Sequence, residues 1–328
     1  MKTEALCFTA PGVMEVRERE LPPLGANDVL VKVKAVGVCF GDVALFRNGS
    51  LSEFPTWGGH EAAGVVEDVG PEVTSVRPGD NVAMLGQDRF STWTMARERD
   101  LARFTTPVSD WAQWVAEPLA CCVNGVDIAG VQPDDAVAVV GCGFMGLGII
   151  QTLRLWPVRM TVAIAPREES LKRATALGAD ATFISSDANL VESASRIVRP
   201  RPMPNQYLGP NFPSGPYDVV FETSGTKAGL DTATALIRIG GTLVLFGHQQ
   251  GQVSIDGTDW HMKGLRVLNA SPMSAVDFHQ QFYRTVGLLE SGRLSLDSLV
   301  THKGSFLDAE AILEASKEPD YVKGALLF

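Results

Sequence analysis

An α/β protein of two domains, one mostly β and one a doubly wound parallel sheet, is what the sequence predicts, on three observations. From Met1 to about Leu119 short apolar alternations are interrupted by Gly and Pro. From about Ala120 strands alternate with helical patterns. The first strand of that second part runs directly into a glycine-patterned turn.

The alternations Val29-Leu30-Val31-Lys32-Val33, Gly64 to Val69 and Asp80 to Met84 have the period of two that places one strand face in a core. Beyond Ala120 the strands are expected at Val137 to Val140, Met160 to Ile164, Tyr217 to Phe221, Thr242 to Phe246 and Leu265 to Asn269. Strands alternating with helices imply a parallel sheet. Six strands would complete a doubly wound sheet, and these make five. One helix is expected to end near Pro157 and a second to run from Pro166 to Gly178, with proline at the first helical position and glycine past the end. Val198 to Pro216 holds six prolines and reads as a long surface loop or a functional lid. A further helical pattern covers Phe278 to Leu289. A length of 328 residues suits two domains of roughly 100 to 200 residues.

Composition excludes several classes. A formal charge of -10 argues against nucleic acid as a partner, since phosphate binding needs clustered Lys and Arg. The start Met1-Lys2-Thr3-Glu4 lacks the apolar run of a signal peptide. The most apolar stretch, Ala136 to Ile150, is shorter than the ~20 residues of a membrane span and holds four glycines. Five cysteines, Cys7, Cys39, Cys121, Cys122 and Cys142, form no regular framework and fit a reducing compartment. A cytoplasmic protein without membrane partners is expected.

Val140-Gly141-Cys142-Gly143-Phe144-Met145-Gly146 places G-x-G-x-x-G between a strand and a helix. Such glycines permit a tight turn, close backbone approach to a pyrophosphate and close helix packing, while the helix amino terminus attracts phosphate charge. A dinucleotide site is therefore expected at Gly141, Gly143, Phe144, Met145 and Gly146. NAD sites end the second strand in a carboxylate that grips the ribose 2′-hydroxyl. Here that place is Ala165, followed by Pro166 and Arg167. With no carboxylate to repel a 2′-phosphate and an Arg to pair with it, NADP is favoured over NAD. A solvated Arg167 is the bland alternative.

Cys39 stands in Gly37-Val38-Cys39-Phe40-Gly41-Asp42, His60 and Glu61 in Gly58-Gly59-His60-Glu61, and Glu117 in Ala116-Glu117-Pro118-Leu119. Thiolate, imidazole and carboxylate are ordinary zinc ligands, and catalytic zinc takes three of them with a fourth place open. Singly, each is more often a core or hydrogen-bonded group. Cys121 and Cys122 are rival thiolates. Phe46, Trp57 and Trp93 are candidate pocket walls, although aromatics are more often core.

Together these motifs, with Gly59-His60-Glu61-Ala62-Ala63-Gly64, Gly79-Asp80 and the loop at Gly141, resemble the medium-chain dehydrogenase/reductase family over nearly the whole chain. Within it the chain is similar to the zinc-dependent polyol dehydrogenases of the sorbitol dehydrogenase type. The resemblance implies a GroES-like β catalytic domain over 1–119, a Rossmann-type dinucleotide-binding domain over 120–266, and a return segment over 267–328 that completes the first. It implies Cys39, His60 and Glu117 as ligands of one catalytic Zn2+, Glu61 as an alternate ligand, and Asp42 as a residue orienting a ligand histidine. It also implies a homodimer or homotetramer.

Two departures from the family pattern stand out. No cysteine lies between Cys39 and Cys121, so the four-cysteine structural zinc lobe is absent. Gly41 and Ala44 occupy the places where relatives carry a proton-relaying hydroxyl or histidine. Glu61 or a water chain is the expected substitute base. The expected reaction is hydride transfer between a secondary alcohol (a polyol, sugar or cyclitol) and NADP or NAD. The competing readings are a zinc-free quinone or enoyl reductase of the same superfamily and a non-catalytic nucleotide-binding protein.

Overall fold

The computed structural model describes residues 1–49, 53–198, 214–249 and 251–328. The expected proline-rich loop falls, over 199–213, outside the described residues. The chain divides into two units, Met1–Ala120 with His279–Phe328, and Cys121–Phe278.

The first unit is built on strand Asp28–Val38, whose Val29, Val31, Val33, Val36 and Val38 are buried. β-Branched side chains at alternating positions suit a pleated, half-buried surface. On one side it pairs antiparallel with Glu61–Val69. On the other it pairs antiparallel with Trp93–Arg97 along its first half and with the carboxy-terminal strand Gly324–Leu327 along its second. The register sets Gly37 opposite Glu61 on one flank and opposite Ala325 on the other, with Gly324 opposite Val38. The last residues of the chain thus lie beside the strand end that leads to Cys39. A core of Phe8, Val31, Val66, Val82, Met84, Phe90 and Leu326 packs around this sheet.

In the second unit six parallel strands lie in the order Ala181–Ile184, Met160–Ala165, Ala136–Val140, Tyr217–Glu222, Ile237–Leu245, Arg266–Asn269. Numbered along the chain this is 3-2-1-4-5-6, the doubly wound arrangement, with its switch point at Ala136–Val140. Ala181–Ile184 is the strand the sequence pattern leaves unplaced. It is four residues long, half-buried and at the sheet edge, so it lacks the apolar run of its neighbours.

Two boundaries differ from expectation. A division after Arg266 would cut strand Arg266–Asn269, which pairs with Thr242 to Leu245; the return to the first unit comes at His279, in helix Phe278–Glu290. The helix expected from Pro166 runs over Glu168–Ala176, because Arg167 is extended (φ −121°, ψ 131°) and acts as its N-cap. Among the described residues no helix is long and apolar enough to cross a membrane.

Candidate metal centre and nucleotide loop

Cys39 is the N-cap of helix Phe40–Asn48, and its Sγ accepts a hydrogen bond from the Gly41 amide at 3.4 Å. The Asp42 carboxylate closes the turn reciprocally: Oδ2 accepts from the Cys39 amide at 2.9 Å. Oδ1 accepts from the Gly59 amide at 3.1 Å. Buried Asp42 therefore ties together the two segments that carry Cys39 and His60. The family resemblance implies that Asp42 orients the histidine; its hydrogen bonds go instead to backbone, and it acts on the His60 ring through charge.

His60 owes its place to the glycines before it. A Cβ on Gly59, at φ +85°, would lie 2.8 Å from the Phe90 amide nitrogen and ring, so only glycine lets the chain pass this close. The Phe90 amide donates to Gly58 O at 3.0 Å and fixes the approach. The ligand atoms of Cys39, His60 and Glu61 come within 4.8 Å of one another.

Glu61 is fully buried, and its Oε2 lies 2.6 Å from Nζ of Lys323, itself only 4% exposed. The two form a buried, charge-assisted pair. Nζ also donates to Val38 O at 3.2 Å. The pair meets over Gly37, where a Cβ would stand 2.1 Å from Oε2 and 3.1 Å from the lysine Cε. No sequence motif marks Lys323. The sequence signal is a cation at the mouth of an apolar terminal strand, and it acquires meaning only once the register with Val38 is known.

Burial is the largest influence on the His60 imidazole and lowers its pKa. A hydrogen bond to Cys39 and the charges of Glu61, Asp42 and Cys39 together outweigh burial and carry the pKa up to about 10. Burial pushes the Asp42 carboxyl up, against the pull of His60 and the two amides. Burial lowers Lys323, but Glu61 and Cys39 more than compensate and leave its pKa raised. The cluster thus favours a cation. A soft thiolate, an imidazole and a buried carboxylate make a donor set that fits zinc.

Glu117 stands at the head of helix Glu117–Ala129, half-buried and outside this close group. Cys121 and Cys122 are buried in the same helix; the Cys122 thiol donates to Met145 O. Gly41 and Ala44 carry no relaying group, and Phe46 is core. Trp57 and Trp93 lie under the Arg19 and Lys32 cations, respectively. A second grouping, His302, Glu318 and Asp320, has both carboxylates exposed.

In the second unit the loop after Ala136–Val140 shows why two of its glycines, Gly141 and Gly146, are required. A Cβ on Gly141 (φ +106°) would meet Ser224 N at 2.8 Å, and one on Gly146 would lie 1.9 Å from Gly141 O. Gly143, the N-cap of helix Phe144–Leu153, has nothing within 4 Å of such a Cβ, so the loop backbone is open to a ligand there. The Phe144 and Met145 amides begin that helix. Buried Ala165 ends the neighbouring strand, and Arg167 is exposed two residues on.

Comparison with known proteins agrees with this organisation. Residues 25–165 match the family model described as alcohol dehydrogenase GroES-like domain, and residues 145–291 the one described as zinc-binding dehydrogenase. D-xylulose reductase A of Aspergillus oryzae is 28% identical over 354 aligned positions, covering 97% of this chain and 95% of that protein. Among solved structures, a putative zinc-binding dehydrogenase from Sinorhizobium meliloti bound to NADP superimposes with a TM-score of 0.84 at 24% identity, covering 100% of both chains. 2R,3R-butanediol dehydrogenase from Bacillus subtilis gives 0.83 at 22% identity, covering 99% of each. At these identities the structural likeness speaks for the fold.

Proposed function

The chain belongs to the zinc-type medium-chain dehydrogenases/reductases, and from that membership we propose that it interconverts a polyol-like secondary alcohol and its ketone, with one catalytic zinc and NADP. The observation that carries the proposal is the convergence of half-buried Cys39 and His60 with buried Glu61 on one cation-favouring point.

Cys39, His60 and Glu117 are the proposed ligands, with the fourth place left to substrate or water. Zinc, when bound, supplies the Lewis acidity that eases loss of the hydroxyl proton and transfer of hydride to the nicotinamide. Asp42 braces the Cys39 and Gly59 segments, and so the spacing between two ligands. With Gly41 and Ala44 unable to pass a proton, the buried Glu61 carboxylate, paired with Lys323, or a water chain is the proposed acceptor.

The nicotinamide dinucleotide is assigned to Gly141, Gly143, Phe144, Met145 and Gly146, its pyrophosphate on the helix amino terminus. Preference for NADP rests on Ala165 offering no carboxylate and on exposed Arg167. The polyol class rests on the curated relative named for xylulose reduction. A homo-oligomer is proposed on the family resemblance.

Measuring kcat/KM over polyols, cyclitols and simple secondary alcohols, each with NADP and NAD, tests the reading. Turnover of a polyol with NADP preferred is expected; strong NAD preference removes the role given to Arg167, and no turnover with any alcohol removes the dehydrogenase. A Glu61→Gln variant with unchanged rate and pH profile would exclude Glu61 as the base.

A further inference from the structure

We propose that Thr223 is a positioning residue for the dinucleotide: its hydroxyl pins the first peptide of the glycine loop, so that the loop stands in its binding form before the nucleotide arrives. The inference rests on the dinucleotide reading above. Gly141 follows the switch-point strand Ala136–Val140 and is held from both neighbouring strands. Its amide donates to Ile164 O at 2.8 Å. Its carbonyl accepts from the Thr223 hydroxyl at 2.7 Å. The same hydroxyl lies 3.1 Å from Val140 O, which already receives the Thr223 amide at 2.8 Å. A hydroxyl has one proton to give, so the shorter contact, to Gly141, is the one it serves.

Thr223 is fixed in turn by Glu222, which ends strand Tyr217–Glu222 and is fully buried. Its Oε1 accepts from the amides of Ser224 at 2.7 Å and Gly225 at 3.1 Å and folds the residues after the strand into a tight turn. Its Oε2 accepts from Gln249 Nε2 at 2.7 Å, which ties the turn to the segment after the next strand. The turn lies close against the glycine loop: a Cβ on Gly146 would stand 2.8 Å from Thr223 Oγ1. A planar trans peptide sets its C=O and N–H in opposite directions. Holding Gly141 O on the side of Thr223 and Gly146 therefore turns the Cys142 amide away from them, and so directs the chain into the open backbone at Gly143. Glycines give a loop more conformational freedom than other residues, and a loop ordered beforehand loses less of it on binding. The hydroxyl thus strengthens dinucleotide binding by shaping the loop.

The test reads dissociation constants of NADPH and NADH by fluorescence titration of the purified enzyme, and deuterium uptake by the amides of residues 141–146 without nucleotide. Thr223→Val keeps the shape of the side chain and removes the hydroxyl. It should weaken binding of the preferred nucleotide by about 3- to 10-fold, the scale of one net hydrogen bond, and should speed deuterium uptake in the loop. The nucleotide KM should rise by a similar factor while kcat does not fall. Thr223→Ser should retain parent affinity and parent uptake. Thr223→Ala removes the same hydroxyl with less bulk to accommodate and carries the test if Thr223→Val does not fold. Parent affinity, or parent deuterium uptake, in either folded variant overturns the role of Thr223, as does a Thr223→Ser variant that behaves like Thr223→Val. A parent protein that binds neither NADPH nor NADH overturns the dinucleotide reading itself.

Discussion

Asp42→Asn probes the brace between the two ligand segments with almost no change of shape. The carboxylate accepts one amide through each oxygen, from Cys39 at 2.9 Å and from Gly59 at 3.1 Å. Asparagine has one acceptor oxygen, so whichever way it turns, its NH2 faces a backbone N–H and that amide is left unpaired in a buried place. A hydrogen bond to a charged group contributes about 1.5–3 kcal/mol, and an unsatisfied buried donor costs about 1–3 kcal/mol. Part of this is recovered because burial disfavours the charge of Asp42, as its raised pKa records. The net loss should be about 2 kcal/mol, roughly 30-fold in an equilibrium constant. It should appear as weaker zinc binding in chelator competition and as a lower melting temperature of the zinc-free protein. An Asn variant with parent zinc affinity would refute the brace.

Gly146→Ala should abolish nucleotide binding by fluorescence titration while zinc content stays unchanged, because its Cβ would lie 1.9 Å from a backbone oxygen of the loop and in the other unit from the metal cluster. In the zinc-free protein the His60 pKa is raised from 6.5 to about 10. The folded state holds the proton more tightly, so this stabilisation is full below about pH 6.5 and is lost as pH rises to about 10. Melting temperature should therefore fall across that window in the zinc-free parent more steeply than in His60→Gln; equal slopes would contradict the assignment. For the same reason zinc uptake at pH 7 should release at least one proton per ion, measurable by calorimetry in buffers of different ionisation enthalpy.

What the sequence discloses and what it conceals follow from physical range. The nucleotide loop is legible because its constraints are local: a strand, a tight turn and a helix start lie within eleven residues, Ala136 to Gly146. The Cys39 and His60 segments are legible as glycine-marked turns for the same reason. Ala181–Ile184 is hidden because an edge strand of four half-buried residues has little apolar signature. The boundary at His279 is hidden because it falls at a helix start, with no linker composition to mark it. Lys323 is hidden because its meaning lies in a pairing across 262 positions with Glu61, and no local pattern encodes that register. Asp42 is legible as a residue near the metal but not as a double backbone acceptor, since the Gly59 amide arrives from a separate turn.

Zinc content of the purified enzyme, measured by mass spectrometry alongside Cys39→Ser, tests the central claim most directly. One zinc per chain in the parent, lost together with alcohol oxidation in the variant, is the expected result. A parent that is fully active without zinc, or a Cys39→Ser variant that keeps both its zinc and its activity, would contradict the account.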